Sequence, residues 1–237
     1  MSKCVVITGG SSGIGRELAI LCAEQGVTLG LIGRNEQRLH ETAFVCRGKG
    51  ASVSIGILDV RKREDVDAWL VAFDSRTPVD LVIANAGVTG GAREGEDIEA
   101  DETSRLVFET NLMGVLNTVQ PLLPHMIARR SGQLALVSSL AGFIPLPDAP
   151  SYGASKAAVL RYGLALRTAL RGSGVKLSVI CPGFVVHFAP RQTAAGDDQW
   201  RIRASAFAVR CGSRPKASRK PWAIAIAARA ARGRAGR

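Results

Sequence analysis

The sequence offers little that would mark a secreted, membrane-bound or metal-carrying protein. Its five cysteines, Cys4, Cys22, Cys46, Cys181 and Cys211, include no Cys-x-x-Cys pair, and an odd, scattered set does not form a disulfide framework. They read as reduced thiols of a cytoplasmic protein. His40 and His125 sit in helical stretches without a Cys/His/Asp cluster at metal-ligand spacing, and His187 reads as a partly exposed loop residue, so no metal is implied. No apolar run approaches the ~20 residues of a transmembrane segment. The first eight residues run into a strand-length apolar stretch that stops at glycines, unlike the long apolar centre of a signal peptide. There is no internal repeat.

Acidic residues are scarce in one region only. The chain carries 31 Lys+Arg against 20 Asp+Glu, but residues 1–189 hold 19 against 18, and residues 190–237 hold 12 against 2. A nearly neutral body gives no reason to expect a nucleic-acid surface on the core. The basic end could bind nucleic acid or anionic lipid weakly and in a salt-sensitive way. Its only aromatics, Trp200, Phe207 and Trp222, are too sparse for a stacking platform.

What is present is a regular alternation. Strand-like runs near Cys4–Thr8, Thr28–Ile32, Ser52–Leu58, Asp80–Ala84, Leu134–Ser138 and Lys176–Cys181 are separated by helical stretches. Leu18, Leu21 and Cys22 make one apolar stripe at spacings of three and four; Val66, Trp69, Leu70 and Phe73 make another. Parallel strands need a crossover between them, so this order predicts an α/β fold, a doubly wound parallel sheet in a single domain of 237 residues. Ligands of such sheets bind beyond the carboxyl ends of the strands.

Chemistry-bearing residues fall at those ends. Thr8-Gly9-Gly10-Ser11-Ser12-Gly13-Ile14-Gly15 follows the first strand and opens the first helix, where glycines let a pyrophosphate approach backbone N–H groups at a helix N-terminus. Tyr152 and Lys156 are four apart at the start of a helical stretch and so share a face. A phenol, with an ordinary pKa of about 10, holds its proton at neutral pH unless positive charge nearby stabilises the phenolate. Ser138-Ser139 closes the strand that starts at Leu134, and Asn85-Ala86-Gly87 closes the fourth strand.

Taken together, Thr8 to Gly15, Asn85-Ala86-Gly87, Asn111, Ser139, Tyr152, Lys156 and Pro182-Gly183 make the chain resemble the short-chain dehydrogenase/reductase family over residues 3–186. The resemblance implies a Rossmann fold and NAD(P)-dependent hydride transfer between the cofactor and a small carbonyl or alcohol. Tyr152 would be the acid and base, Lys156 would hold the nicotinamide ribose and assist Tyr152, Ser139 would polarise the substrate oxygen, and Asn111 would hold a relay water. The competing reading of Asn111 is an Asn inside a helix and bonded to backbone. Gly9, Ser11, Ser12, Gly13, Ile14 and Gly15 would bind the pyrophosphate. Asp59 and Val60 would sit at the adenine; Asn85, Ala86 and Gly87 would line the cofactor, and Pro182, Gly183 and Val185 would border the nicotinamide. Asp59 also competes as the N-cap of a helical run beginning at Arg61.

At the end of the second strand Gly33-Arg34 stands where an acidic residue would bind both ribose hydroxyls of NAD. Arg34 could pair with a 2′-phosphate, so NADP is favoured over NAD. Phe143, Ile144, Pro145, Leu146 and Pro147 suggest an apolar substrate pocket, though which substrate it takes is not legible. The family resemblance implies a homodimer or homotetramer formed through the helices of Asn111 and Tyr152. Leu106, Phe108, Leu112, Val115, Leu116 and Val119 exceed what one helical face needs for its own sheet.

The resemblance fails at Val186-His187-Phe188, where a threonine usually stands at the position of His187. Residues 1–188 are therefore expected to form the catalytic domain. Residues 189–237 are expected to be an atypical basic, Arg/Ala-rich tail, poorly ordered or frameshifted, that does not supply the last helix and strand. A non-catalytic dinucleotide scaffold, or an inactive relative with a shifted frame, is the alternative function.

Overall fold

Strands and helices alternate along the chain in the computed structural model, which describes residues 3–92, 97–183 and 206–208. The order is β1 (Cys4–Thr8), α1 (Gly13–Cys22), β2 (Thr28–Gly33), α2 (Glu36–Gly48), β3 (Ser52–Ile57), α3 (Arg63–Arg76) and β4 (Leu81–Ala84). Then come α4 (Asp101–Phe108), a single wide π turn (Glu109–Met113), α5 (Gly114–Val119), α6 (Leu123–Ala128), β5 (Gly132–Val137), a 3-10 turn (Leu140–Gly142), α7 (Pro150–Ala169), β6 (Val175–Pro182) and β7 (Ala206–Ala208). Six expected strands are present, with ends that differ by one or two residues.

The sheet order is β3-β2-β1-β4-β5-β6-β7, and β1 to β6 are parallel. Ile7 of β1 faces Leu31 on one side and Ile83 on the other. The chain thus winds outward from β1 in both directions, and a crevice opens between the ends of β1 and β4. Ala206–Ala208 pair antiparallel with β6. The segment after 189 is expected from the sequence not to supply the last helix and strand; these three of its residues do pair with the sheet. An antiparallel neighbour needs no helical crossover, so a short stretch can dock where a full parallel unit does not. The remainder of 189–237, with Val185 and His187, lies outside the described residues.

Successive strand side chains point to opposite faces, and both faces are covered, which is why β1 is buried throughout and apolar from Cys4 to Ile7. Cys4, Val6, Val82, Leu134 and Leu136 pack with Val66 and Leu70 of α3, Val115 and Val119 of α5, and Val159 of α7. Val5, Ile7, Leu29, Leu31 and Ile83 pack on the other face with Leu18 and Cys22 of α1 and Leu39 and Cys46 of α2. Trp69 stacks on Phe73, ring centroids 5.0 Å apart. A Cβ on Gly30 would lie 3.0 Å from both rings, which explains a glycine inside a strand.

One polar network ties the far end of the molecule together. The buried Asp74 carboxylate accepts from Val79 N at 2.8 Å, faces His125 Nδ1 at 2.8 Å and pairs with Arg129 at 3.2 Å, which joins α3 to α6. His125 therefore meets an acidic partner distant in sequence. Among the described residues no group of three or more His, Cys, Asp or Glu could hold a metal ion, and no helix is long and apolar enough to cross a membrane.

Candidate active site

A cleft of about 780 Å³ opens over the carboxyl ends of the strands. The turn after β1 contributes Gly9, Ser11, Ser12, Gly13 and Ile14; the segment after β2 contributes Arg34, and that after β3 Asp59 and Val60. Asn85, Ala86 and Gly87 enter from β4, Ser139 from β5, Tyr152 and Lys156 from α7, and Pro182 and Gly183 from the end of β6. Gly15 and Asn111 stand behind the lining.

The glycine turn is built by close approach. Gly9 and Gly13 have φ of 69° and 53°, in the left-handed region. A Cβ on Gly15 would lie 2.1 Å from the Gly9 carbonyl oxygen and 2.5 Å from Asn85 Nδ2. Gly15 therefore lets α1 begin hard against the turn, with its unpaired first-turn N–H groups beside the cleft. Asn85 fixes the other wall: its backbone N donates to Thr8 Oγ1 at 3.1 Å and its Nδ2 donates to Thr8 O at 3.0 Å.

At the inner end, two bonds pin α7 to β5. Ser138 Oγ donates to Lys156 O at 2.7 Å, and Lys156 Nζ donates to Val137 O at 3.1 Å. Lys156 is only 5% exposed. Burial pushes its pKa down to about 8, and the field of Cys181 offsets only part of that. Its Nζ lies 5.8 Å from the centre of the Tyr152 ring. Ser139 Oγ accepts from Ala141 N at 3.1 Å, which leaves its own O–H available to donate.

Asn111 is fully buried in the π turn, a feature frequent at functional sites. Its Oδ1 accepts from Val88 N at 2.8 Å, and its Nδ2 donates to Val88 O and Ser155 Oγ, both at 3.0 Å. The backbone-bonded arrangement is what the geometry displays. A Cβ on Gly87 would sit 3.1 Å from Asn111 Oδ1 and 3.3 Å from Lys156 Nζ, so the missing side chain leaves a small space within reach of both.

Asp59 does not cap a helix. α3 begins at Arg63 with Lys62 at its N-cap, because Asp59 Oδ1 instead accepts from Arg61 N at 3.0 Å and closes a local turn. Both carboxylate oxygens also pair with the Arg61 guanidinium, at 2.6 Å for Nη2 to Oδ2. The Arg61 side chain holds the Asp59 carboxyl below the usual carboxylate range, against the opposing effect of burial. Val60 is fixed through its carbonyl, which accepts from Asn117 Nδ2 at 2.9 Å.

The family model for short chain dehydrogenases matches residues 3–198. The chain belongs to the short-chain dehydrogenase/reductase family. Its relatives include an uncharacterized oxidoreductase of Myxococcus xanthus (strain DK1622), 38% identical over 184 residues, which are 77% of this chain and 72% of that protein. The ketoacyl reductase HetN of Nostoc sp. is 33% identical over 77% of this chain and 63% of its own length. A crystal structure of a short-chain dehydrogenase/reductase from Burkholderia phymatum in complex with NAD has a TM-score of 0.72 at 33% identity, over 78% of this chain and 66% of that one. An actinorhodin polyketide ketoreductase variant with NADPH has a TM-score of 0.70 at 32% identity, over 78% and 71%.

Sequence reasoning passed over several residues of this short-chain dehydrogenase/reductase family member that line the cleft, among them Arg38, Val88, Thr89 and Thr110. Arg38 lies in the first turn of α2, four residues after Arg34, and a second arginine so close to the end of β2 was signal enough. Thr110 is different: its hydroxyl is buried with no hydrogen-bond partner among the described residues, a condition that only packing reveals.

Proposed function

We propose that this chain is an NAD(P)-dependent oxidoreductase that interconverts a small carbonyl compound and its alcohol, with Tyr152 as acid and base. The observation that carries the reading is the convergence, in one cleft, of the glycine turn, two arginines beyond β2, and a tyrosine backed by a buried ammonium. The site suits a nicotinamide dinucleotide because the left-handed turn at Gly9 and Gly13 leaves backbone and helix N-terminus open to a pyrophosphate. When bound, the nicotinamide supplies or accepts the hydride.

Tyr152 gives its hydroxyl proton to the substrate oxygen in reduction and takes it back in oxidation. The Lys156 ammonium favours the phenolate left behind, and its lowered pKa of about 8 means that it releases a proton readily. Ser139, whose Oγ already accepts from Ala141 N, turns its O–H to the substrate oxygen. The space beside Gly87 would hold a water between Asn111 Oδ1, which retains one lone pair, and Lys156, and so refill the proton.

NADP is the favoured cofactor because Arg34 and Arg38 both line the cleft beyond β2, and Asp59, the one carboxylate lining it among the described residues, is paired to Arg61. Ile144 and Leu146 line the cleft and favour an apolar substrate; Phe143 does not line it and is 53% exposed. The relatives named as ketoacyl and polyketide ketoreductases support reduction of a carbonyl. A cytoplasmic homodimer or homotetramer is the proposed form, supported by four buried free thiols and by Phe108 and Met113 exposed along α4 and the π turn.

The test is turnover with NADPH and NADH against ketones, 3-oxoacyl thioesters and keto-sugars, on wild type and Tyr152→Phe. Wild type should reduce at least one class, and Tyr152→Phe should lose turnover while retaining cofactor affinity, since only the proton donor is deleted. Undiminished turnover by Tyr152→Phe would overturn the assignment.

A further inference from the structure

The helix that carries Tyr152 begins without a cap of its own. Ala149 occupies the N-cap position and has no side chain that could accept a hydrogen bond, and Pro150 follows at the first helical position. The next N–H, that of Ser151, is one of the helix's orphan donors, and it lies one residue before Tyr152. It is satisfied from far away in the chain. Glu99 Oε2 accepts from Ser151 N at 3.0 Å, and Glu99 Oε1 accepts from Ser151 Oγ at 2.7 Å.

The same carboxylate holds a second wall of the cleft. Its Oε1 also accepts from Gly91 N at 2.8 Å, in the segment that runs on from Asn85-Ala86-Gly87, and Ala92 N donates to Asp148 O at 3.1 Å beside it. A Cβ on Gly90 would fall 2.0 Å from Glu99 Oε1, so the backbone there is pressed against the carboxylate. Burial disfavours the charge, but bonds from Ser151, Gly91 and Ser104 outweigh it and hold the carboxyl below its usual pKa range. Glu99 therefore remains an anion at a helix N-terminus, where negative charge is favoured.

We propose that Glu99 is a positioning residue for Tyr152: it caps α7 from outside and joins the segment after β4 to the turn that presents the phenol. It acts through Ser151 and touches neither substrate nor cofactor. The catalytic half of this inference rests on the acid–base reading of Tyr152; the structural half does not.

Glu99→Gln is the sharp perturbation, because it preserves length and volume and replaces one carboxylate oxygen by an N–H donor that cannot accept from Ser151 or Gly91. The chain has two tyrosines, so ring-labelled tyrosine yields two NMR signals, assigned with Tyr162→Phe. In Glu99→Gln the Tyr152 signal should move or broaden while that of Tyr162, held by Gln120 Nε2 at 2.9 Å, stays in place and reports an intact fold. With an accepted substrate, kcat should fall about tenfold, as losing a cap that aligns the proton donor implies, with cofactor affinity and KM within about twofold. An unchanged Tyr152 signal overturns the proposal whether or not a substrate is known. A moved signal with unchanged kcat overturns the catalytic half. Wild type that turns over nothing refutes the acid–base reading instead, and the NMR comparison still decides whether Glu99 positions Tyr152.

Discussion

Lys156 should make the protein less stable than it could be, and the deficit can be measured. Its amine passes from an ordinary pKa of 10.5 to about 8 in the fold, mainly through burial. At about 1.4 kcal/mol for each tenfold change in proton affinity, keeping that group charged in the native state costs roughly 3 kcal/mol. Lys156→Met preserves most of the volume and removes the charge. It also leaves the Val137 carbonyl without its partner, a loss of about 1 kcal/mol, so the net gain near pH 7 is about 2 kcal/mol and the Tm rises by about 4–8 °C. The sign with pH follows from proton counting. Below the folded value both native and unfolded chains carry the proton and the full penalty acts. Between about 8 and 10.5 the unfolded chain binds more protons than the native one, so this group's contribution to stability rises with pH. The advantage of Lys156→Met should therefore be largest near neutrality, shrink between about 8 and 10.5, and give way above that to a deficit of about 1 kcal/mol from the lost Val137 bond. Cys4 and Cys22, whose thiols burial raises to about 12 and about 11, destabilise the fold at high pH in both proteins and cancel in the difference. Urea unfolding of the two cofactor-free proteins, followed by tryptophan fluorescence at several pH values, gives that difference directly. A Lys156→Met protein less stable than wild type at pH 7, or an advantage that does not shrink as pH rises, would refute the burial argument.

Arg34→Ala should weaken NADPH by about tenfold in fluorescence titration, as loss of a charge-assisted bond implies, and spare NADH; equal losses would show that Arg34 does not read the 2′-phosphate. Gly87→Ala puts a methyl 3.1 Å from Asn111 Oδ1 and 3.3 Å from Lys156 Nζ, so turnover should fall while the circular dichroism spectrum stays native. Wild-type turnover in that variant would remove the space beside Gly87 from the proton path. Sedimentation at micromolar concentration should show a dimer or tetramer, and Phe108→Glu, at a position 38% exposed, should dissociate it without unfolding the monomer. A wild-type monomer would count against association through this face.

The sheet was legible because its physics is local. Parallel strands covered on both faces read as near-continuous apolar runs, so β1, β2 and β4 stand out as short apolar stretches that end at the crevice. α3 was legible as a stripe, though not its start: Asp59 prefers the carboxylate–guanidinium pair with Arg61, a competing local bond that pushes the helix start to Arg63. β7 was not legible because the apolar run Ala206 to Val209 is too short to stand out in a segment where Arg201, Arg203 and Arg210 break every longer stripe.

The candidate site divides along the same line. Tyr152 and Lys156, or Ser139 at a strand end, are recognisable since their placement depends on one helix or one strand end each. The bonds that hold those elements together run between residues that look ordinary in isolation: Thr8 to Asn85 across 77 positions, Asn111 to Ser155 across 44, Glu99 to Ser151 across 52. No spacing rule reaches that far, since nothing in a threonine or a glutamate marks its distant partner. These bonds also share a direction. Asn111 holds Val88, Glu99 holds Gly91, and both reach α7, through Ser155 and Ser151 on either side of Tyr152. The segment after β4 and the start of α7 are thus bolted at two points that bracket the tyrosine. A motif describes which side chains could exchange a proton; this pair of distant bonds ties down the stretch of α7 on either side of Tyr152. Substitutions at Glu99 or Ser155 should accordingly be felt at Tyr152 before they are felt in the glycine turn.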